Sequence, residues 1–122
     1  MNRPLTSAEE QLVCWMLEHG NSEAQAFLPQ LMLARVTPWR CTCSCASINF
    51  LIQGYPEPKG GLRPLGDFIF GSGEDLSGIF VFEQGGVLAG LEVYGLAGDA
   101  PKALPLPDSL RPFSHVRCKS PL

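Results

Sequence analysis

The sequence predicts an α+β fold: two N-terminal helices packed on an antiparallel sheet of about four strands, then a Pro-rich extended C-terminal tail. Three observations predict it. Helical spacing of apolar residues is confined to the first 33 or so positions. Gly85-Gly86 stands between two apolar, β-prone runs, and two glycines suit a two-residue hairpin turn. After Gly95, the prolines at 101, 105, 107 and 112 leave no room for a regular element. With 122 residues, 45% of them hydrophobic, the chain reads as one ordered domain with one core. Its parts are helical (1–33), sheet (34–95) and tail (96–122).

The first helix starts where Ser7 and Glu10 hold capping-box spacing, and it runs to about His19 before Gly20. Ser22 and Gln25 repeat that spacing. They open a second helix to about Leu31, disturbed at Pro29. Arg35-Val36-Thr37 is short and β-prone. Arg40 to Ile52 is the longest strand candidate, with Cys41, Cys43, Cys45 and Ser47 on one face and Ile48, Phe50 and Ile52 on the other. Gln53 to Pro64 reads as a loop, and Asp67 to Phe70 as a short strand.

The strands 78–84 and 87–94 form the hairpin. Its turn makes Gln84 face Val87, Phe82 face Ala89 and Phe80 face Leu91. That register puts Phe80, Phe82, Leu91 and Val93 on the core face. Strand 66–71 should precede the hairpin in a meander, and strand 40–52 should complete the sheet. The expected core adds Leu12, Trp15, Met16, Phe27, Leu31, Ile48, Phe50 and Phe68. Leu104, Leu106, Leu110 and Phe113 should anchor the tail, which frays from about Ser114.

Net charge is −3, against a binder of phosphate backbones, so no nucleic-acid partner is expected. Apolar runs are too short to span a bilayer, and the N-terminus lacks the apolar stretch of a signal peptide. A cytoplasmic protein without a membrane partner is the expectation. The charge is unevenly placed. From Pro64 to Pro101 there is no Lys or Arg, but there are Asp67, Glu74, Asp75, Glu83, Glu92 and Asp99. Such a surface steers a basic protein partner. Tyr55, in the loop, adds a residue type enriched at interfaces.

Five cysteines, an odd number, argue against a disulfide framework. Cys43 and Cys45 with His115 and Cys118 offer four ligands of the kind zinc takes. An extended strand opposes this. It spaces alternate residues about 6.6 Å apart, and Cys41 and Cys45 about 13 Å apart. No glycine stands between them to bend the chain, so the cysteines read as small fillers of a crowded strand. No nucleophile–base pair and no phosphate loop is present, so neither catalysis nor a cofactor is expected. Glu92, mid-strand and opposite Ile79, should pair with Arg40 or Arg63.

The hairpin Gly78–Tyr94, with Cys41-Thr-Cys-Ser-Cys-Ala-Ser47 before it and Pro105-Leu-Pro107 after it, resembles a group of small uncharacterised bacterial proteins. These share a helical start, a Cys-x-Cys-x-x-Ser strand, a Gly-x-Leu-x-x-Leu-Glu-Val-Tyr strand and a Pro-rich end. The resemblance covers about Leu5 to Phe113 and implies no activity. Position 44 departs from it, with Ser44 where the group has glycine. In size and layout alone the chain also looks like immunity proteins of bacterial toxin systems. The function expected from these readings is a non-catalytic module that captures a basic protein partner. The alternative is a small zinc or thiol protein that uses Cys41, Cys43 and Cys45.

Overall fold

The computed structural model describes residues 1–112 and contains two helices and a mixed-length antiparallel sheet. In chain order the elements are β1 (Arg3–Pro4), α1 (Ser7–Glu18), α2 (Leu28–Leu31), β2 (Ala34–Val36), β3 (Ile48–Ile52), β4 (Leu62–Phe70), β5 (Ser77–Gln84), β6 (Val87–Gly95) and β7 (Arg111–Pro112). The sheet order is β1-β2-β3-β6-β5-β4-β7. The β4-β5-β6 meander is as expected, and the structure places β3, the strand left to complete the sheet, beside β6. The count is not: seven strands stand where about four were expected. The additional strands have two or three residues, too few for side-chain alternation to reveal.

Helix α1 begins one residue earlier than the sequence suggests. Thr6 is its N-cap. The Thr6 hydroxyl accepts from the Glu9 N–H at 3.1 Å, and the Glu9 carboxylate accepts from the Thr6 N–H at 2.8 Å. That carboxylate also receives both Arg3 guanidinium nitrogens, at 2.9 and 2.8 Å. One acid therefore caps the helix and holds the β1 edge to it. The second helix is not continuous from Ser22. A 3-10 turn at Ala24–Phe27 leads into α2, which places Pro29 in the first turn of α2, where its missing N–H goes unneeded.

The core lies between the helices and one sheet face. Leu12, Val13, Met16, Leu17 and Leu31 pack on Phe50, Ile52, Leu65, Phe68, Ile79, Val81, Leu91 and Val93. The hairpin turn is where it was expected, with Gly85 and Gly86 at φ 61° and 86°. The register beyond it is not. Gln84 pairs with Val87 and Glu83 with Leu88, but then Phe82 pairs with Gly90, Phe80 with Glu92 and Ile79 with Val93. The extra residue, Ala89, is a β-bulge that turns the rest of the hairpin over. Ile79 and Val81 therefore face the helices. Phe80 and Phe82 contact each other on the opposite face, with Phe80 only half-buried. Trp15, Phe27 and Ile48 of the expected core are likewise half-buried at its margin.

Gln30 of α2 reaches this irregular stretch. Its amide nitrogen donates to the Gly86 carbonyl at 3.0 Å, and its amide oxygen accepts from the Leu88 N–H at 2.8 Å. Glu83 closes the turn from inside. Its carboxylate accepts from the Gly86 N–H at 2.8 Å and from Arg63, whose other arm binds Glu23. On the opposite face the Tyr94 ring lies over Gly78, where a Cβ would strike it, and the Tyr94 hydroxyl donates to Asp67 at 3.1 Å.

Part of the tail packs on α1, at the 3-10 turn Pro107–Ser109, and it joins the sheet only as β7 beside β4. Leu110 is buried and Leu104 half-buried, whereas Leu106, which precedes the 3-10 turn at Pro107–Ser109, is 71% exposed. Phe113 and the segment expected to fray lie outside the described residues. No helix among the described residues is long and apolar enough to cross a membrane.

Two outcomes follow from these contacts. Gln30→Ala leaves the Leu88 N–H and the Gly86 carbonyl without the amide, which should cost about 1–3 kcal/mol of unfolding free energy. Urea unfolding measures it, and an unchanged midpoint would contradict the clamp. The second outcome concerns pH. The Arg3 hydrogen bonds hold the Glu9 carboxyl below its ordinary value of 4.5. A depressed folded pKa gives stability that is present above 4.5 and lost as pH falls through the folded value. The urea midpoint should decline on the acid side of 4.5, and Arg3→Gln should make that decline shallower.

Candidate metal centre

The connection between β2 and β3 brings three thiols together. The strand expected from Arg40 starts only at Ile48. Before it the chain turns: the Ser44 N–H donates to the Cys41 carbonyl at 3.0 Å, and Ser44 takes φ 65°, in the left-handed region. That bend removes the spacing of an extended chain. The Cys41 and Cys43 sulfurs stand 3.0 Å apart, and the sulfurs of Cys41, Cys43 and Cys45 all lie within 4.8 Å of one another. The reading of these residues as fillers on a strand is therefore corrected.

The turn is tied to the fold at its far side. The Ala46 N–H donates to the Pro101 carbonyl at 3.0 Å, and the Lys102 ammonium to the Cys43 carbonyl at 3.4 Å. Ser47 joins the turn to the sheet. Its hydroxyl oxygen accepts from the Val93 N–H at 2.9 Å, and Cys45 Sγ lies 3.2 Å from that hydroxyl. Cys45 is thus the fixed corner of the sulfur triangle, half-buried against the core, and Cys43 is the exposed corner. A cavity of about 460 Å³ opens beside it, lined by Arg3, Trp39, Arg40, Cys41, Cys45 and Ser47 among others.

The corners differ in acidity. Burial acts to raise the Cys45 thiol, but hydrogen bonds from Ser47, Cys43 and Cys41 outweigh it and bring Cys45 down to about 7. Hydrogen bonds to Cys41 and Cys45 push Cys43 up to about 11. The cluster therefore holds its first negative charge at the anchored corner.

A thiolate-bound ion has sulfurs at about 2.3 Å, which places them roughly 3.8–4.0 Å from one another. The triangle fits such an ion once Cys41 and Cys43 rotate slightly apart. His115 and Cys118, the other two expected ligands, lie outside the described residues. Cys41, which the zinc or thiol alternative already included, completes the sulfur triangle among the described residues, and Ser47 is the supporting hydroxyl that was missed. A sign of the turn in the sequence was the small polar pair Thr42 and Ser44 between the cysteines, residues that favour turns.

The candidate binding acids occupy separate places. Tyr55 is 45% exposed, just beyond β3, at the Gly85-Gly86 end of the sheet. Glu74 and Asp75 are exposed on the 3-10 turn between β4 and β5, at the other end. Glu83 is buried and serves the hairpin. Asp67 is half-buried and accepts from Tyr94, whose phenol is pushed up to about 12 by burial and by the Asp67 charge. Glu92 faces Phe80, not Ile79, and the expected ion pair does not form among the described residues: Arg63 goes to Glu83 and Glu23. Burial raises the Glu92 carboxyl.

Comparison with known proteins finds no matching family model, curated protein or solved structure.

Limited alkylation of the reduced, metal-free protein at pH 7 should label Cys45 ahead of the more exposed Cys43. Peptide mass spectrometry reads the order. Labelling of Cys43 first would mean that exposure, not acidity, governs the triangle.

Proposed function

We propose that this chain binds a soft metal ion through Cys41, Cys43 and Cys45. One observation carries the reading: three thiol sulfurs mutually within 4.8 Å, gathered by a five-residue turn. Thiolate donors select soft ions such as copper(I) and zinc. Support also comes from the Ser47 hydroxyl, which stands beside Cys45 as an outer partner that orients a ligand. Lys102 sets a positive charge next to a cluster that becomes anionic when it binds metal.

Capture of a basic partner has a narrower footing than the sequence offered. Glu83 and Asp67 are engaged inside the fold and Glu92 is half-buried, which leaves Glu74, Asp75 and Asp99 exposed, with Glu74 and Asp75 remote from Tyr55.

Cadmium is a suitable probe, since it binds thiolates and its complexes absorb in the ultraviolet. One equivalent added to the reduced chain should produce that absorbance. It should also slow alkylation of Cys41, Cys43 and Cys45 at least tenfold and leave Cys14 unaffected. Full reactivity of the three thiols in the presence of cadmium would refute the site.

A further inference from the structure

We infer that the three-cysteine turn takes copper(I), held by three thiolates, in preference to zinc. The inference rests on the metal reading above and concerns the ion that the site selects. Donor number is the first argument. Among the described residues the cluster contains three sulfurs and no imidazole or carboxylate. Zinc is almost always four-coordinate in protein sites, and it would have to complete its shell with water or with a residue outside the described ones. A soft monovalent ion is satisfied by a small number of soft donors, and here every donor is a thiolate.

Charge and access agree with this. Three thiolates around a monovalent ion leave two negative charges, one more than around zinc. The Lys102 ammonium, fixed on the Cys43 carbonyl, stands where that excess is eased. All three ligands come from one short turn, and its Cys43 corner faces solvent. Such a site admits an incoming thiol at that corner, so the ion can pass to another sulfur ligand without the fold opening. Binding replaces the protons that the three sulfurs still carry by one ion; those protons leave for solvent, and no electron is transferred.

The test uses the reduced full-length chain without oxygen, loaded with one equivalent of copper(I) against a chromogenic copper(I) chelator. The expected result is one ion per chain, retained in a hundredfold excess of zinc, with three sulfur neighbours by X-ray absorption. Cys43→Ser should weaken retention at least tenfold with an unchanged circular dichroism spectrum, because that corner is on the surface. The double variant His115→Ala with Cys118→Ser should retain copper as the parent does. Displacement by zinc, a fourth nitrogen or sulfur neighbour, or loss of copper in the double variant would overturn the inference. Each of these leaves cadmium protection of the three thiols intact, so the site itself would stand. Absence of both copper retention and cadmium protection would remove both readings.

Discussion

The amide of Gln30 is the interaction on which the arrangement of this sheet depends. A bulge leaves backbone groups out of ladder register, and a buried N–H without a partner is costly. Gln30 supplies donor and acceptor together, to Gly86 and Leu88, from a helix of only four residues. The same contact fixes α2 against the hairpin. Once Ala89 is displaced, Ile79, Val81, Leu91 and Val93 are the residues that meet α1. Helix position and strand register are thus set by one side chain, itself buried.

This explains which parts of the fold were legible in the sequence. The turn at Gly85-Gly86 was legible because two consecutive positive φ angles restrict residue choice sharply. The face assignment was not. Ile79, Phe80, Val81 and Phe82 are all apolar, so alternation carries no information there, and the bulge that decides the matter is held by a glutamine 58 residues away from Leu88. The first helix was legible from its caps to within one residue. Thr6 displaced Ser7 as the cap because the acid three positions later, Glu9, is the one that Arg3 holds.

The cysteine turn was hidden for a different reason. A left-handed residue is normally advertised by glycine or asparagine, and here it is Ser44. Serine conceals the bend, and three alternating cysteines then read as a strand. The acids were misread in the opposite direction: their clustering in sequence was plain, but burial and pairing separate them in space. Arg63, outside the base-free span, reaches into it to neutralise Glu83.

The seat of Tyr94 on Gly78 has an evolutionary side. One ring covers the glycine on β5, stands on β6 and grips β4 through Asp67. No methyl fits at 78 while the ring is there, and without the ring the glycine leaves a gap over the sheet. Positions 78 and 94 therefore constrain each other's size. A lineage that enlarges the first must shrink the second in the same step or pass through a weakened intermediate, in which β4 loses the hydrogen bond that Tyr94 gives to Asp67.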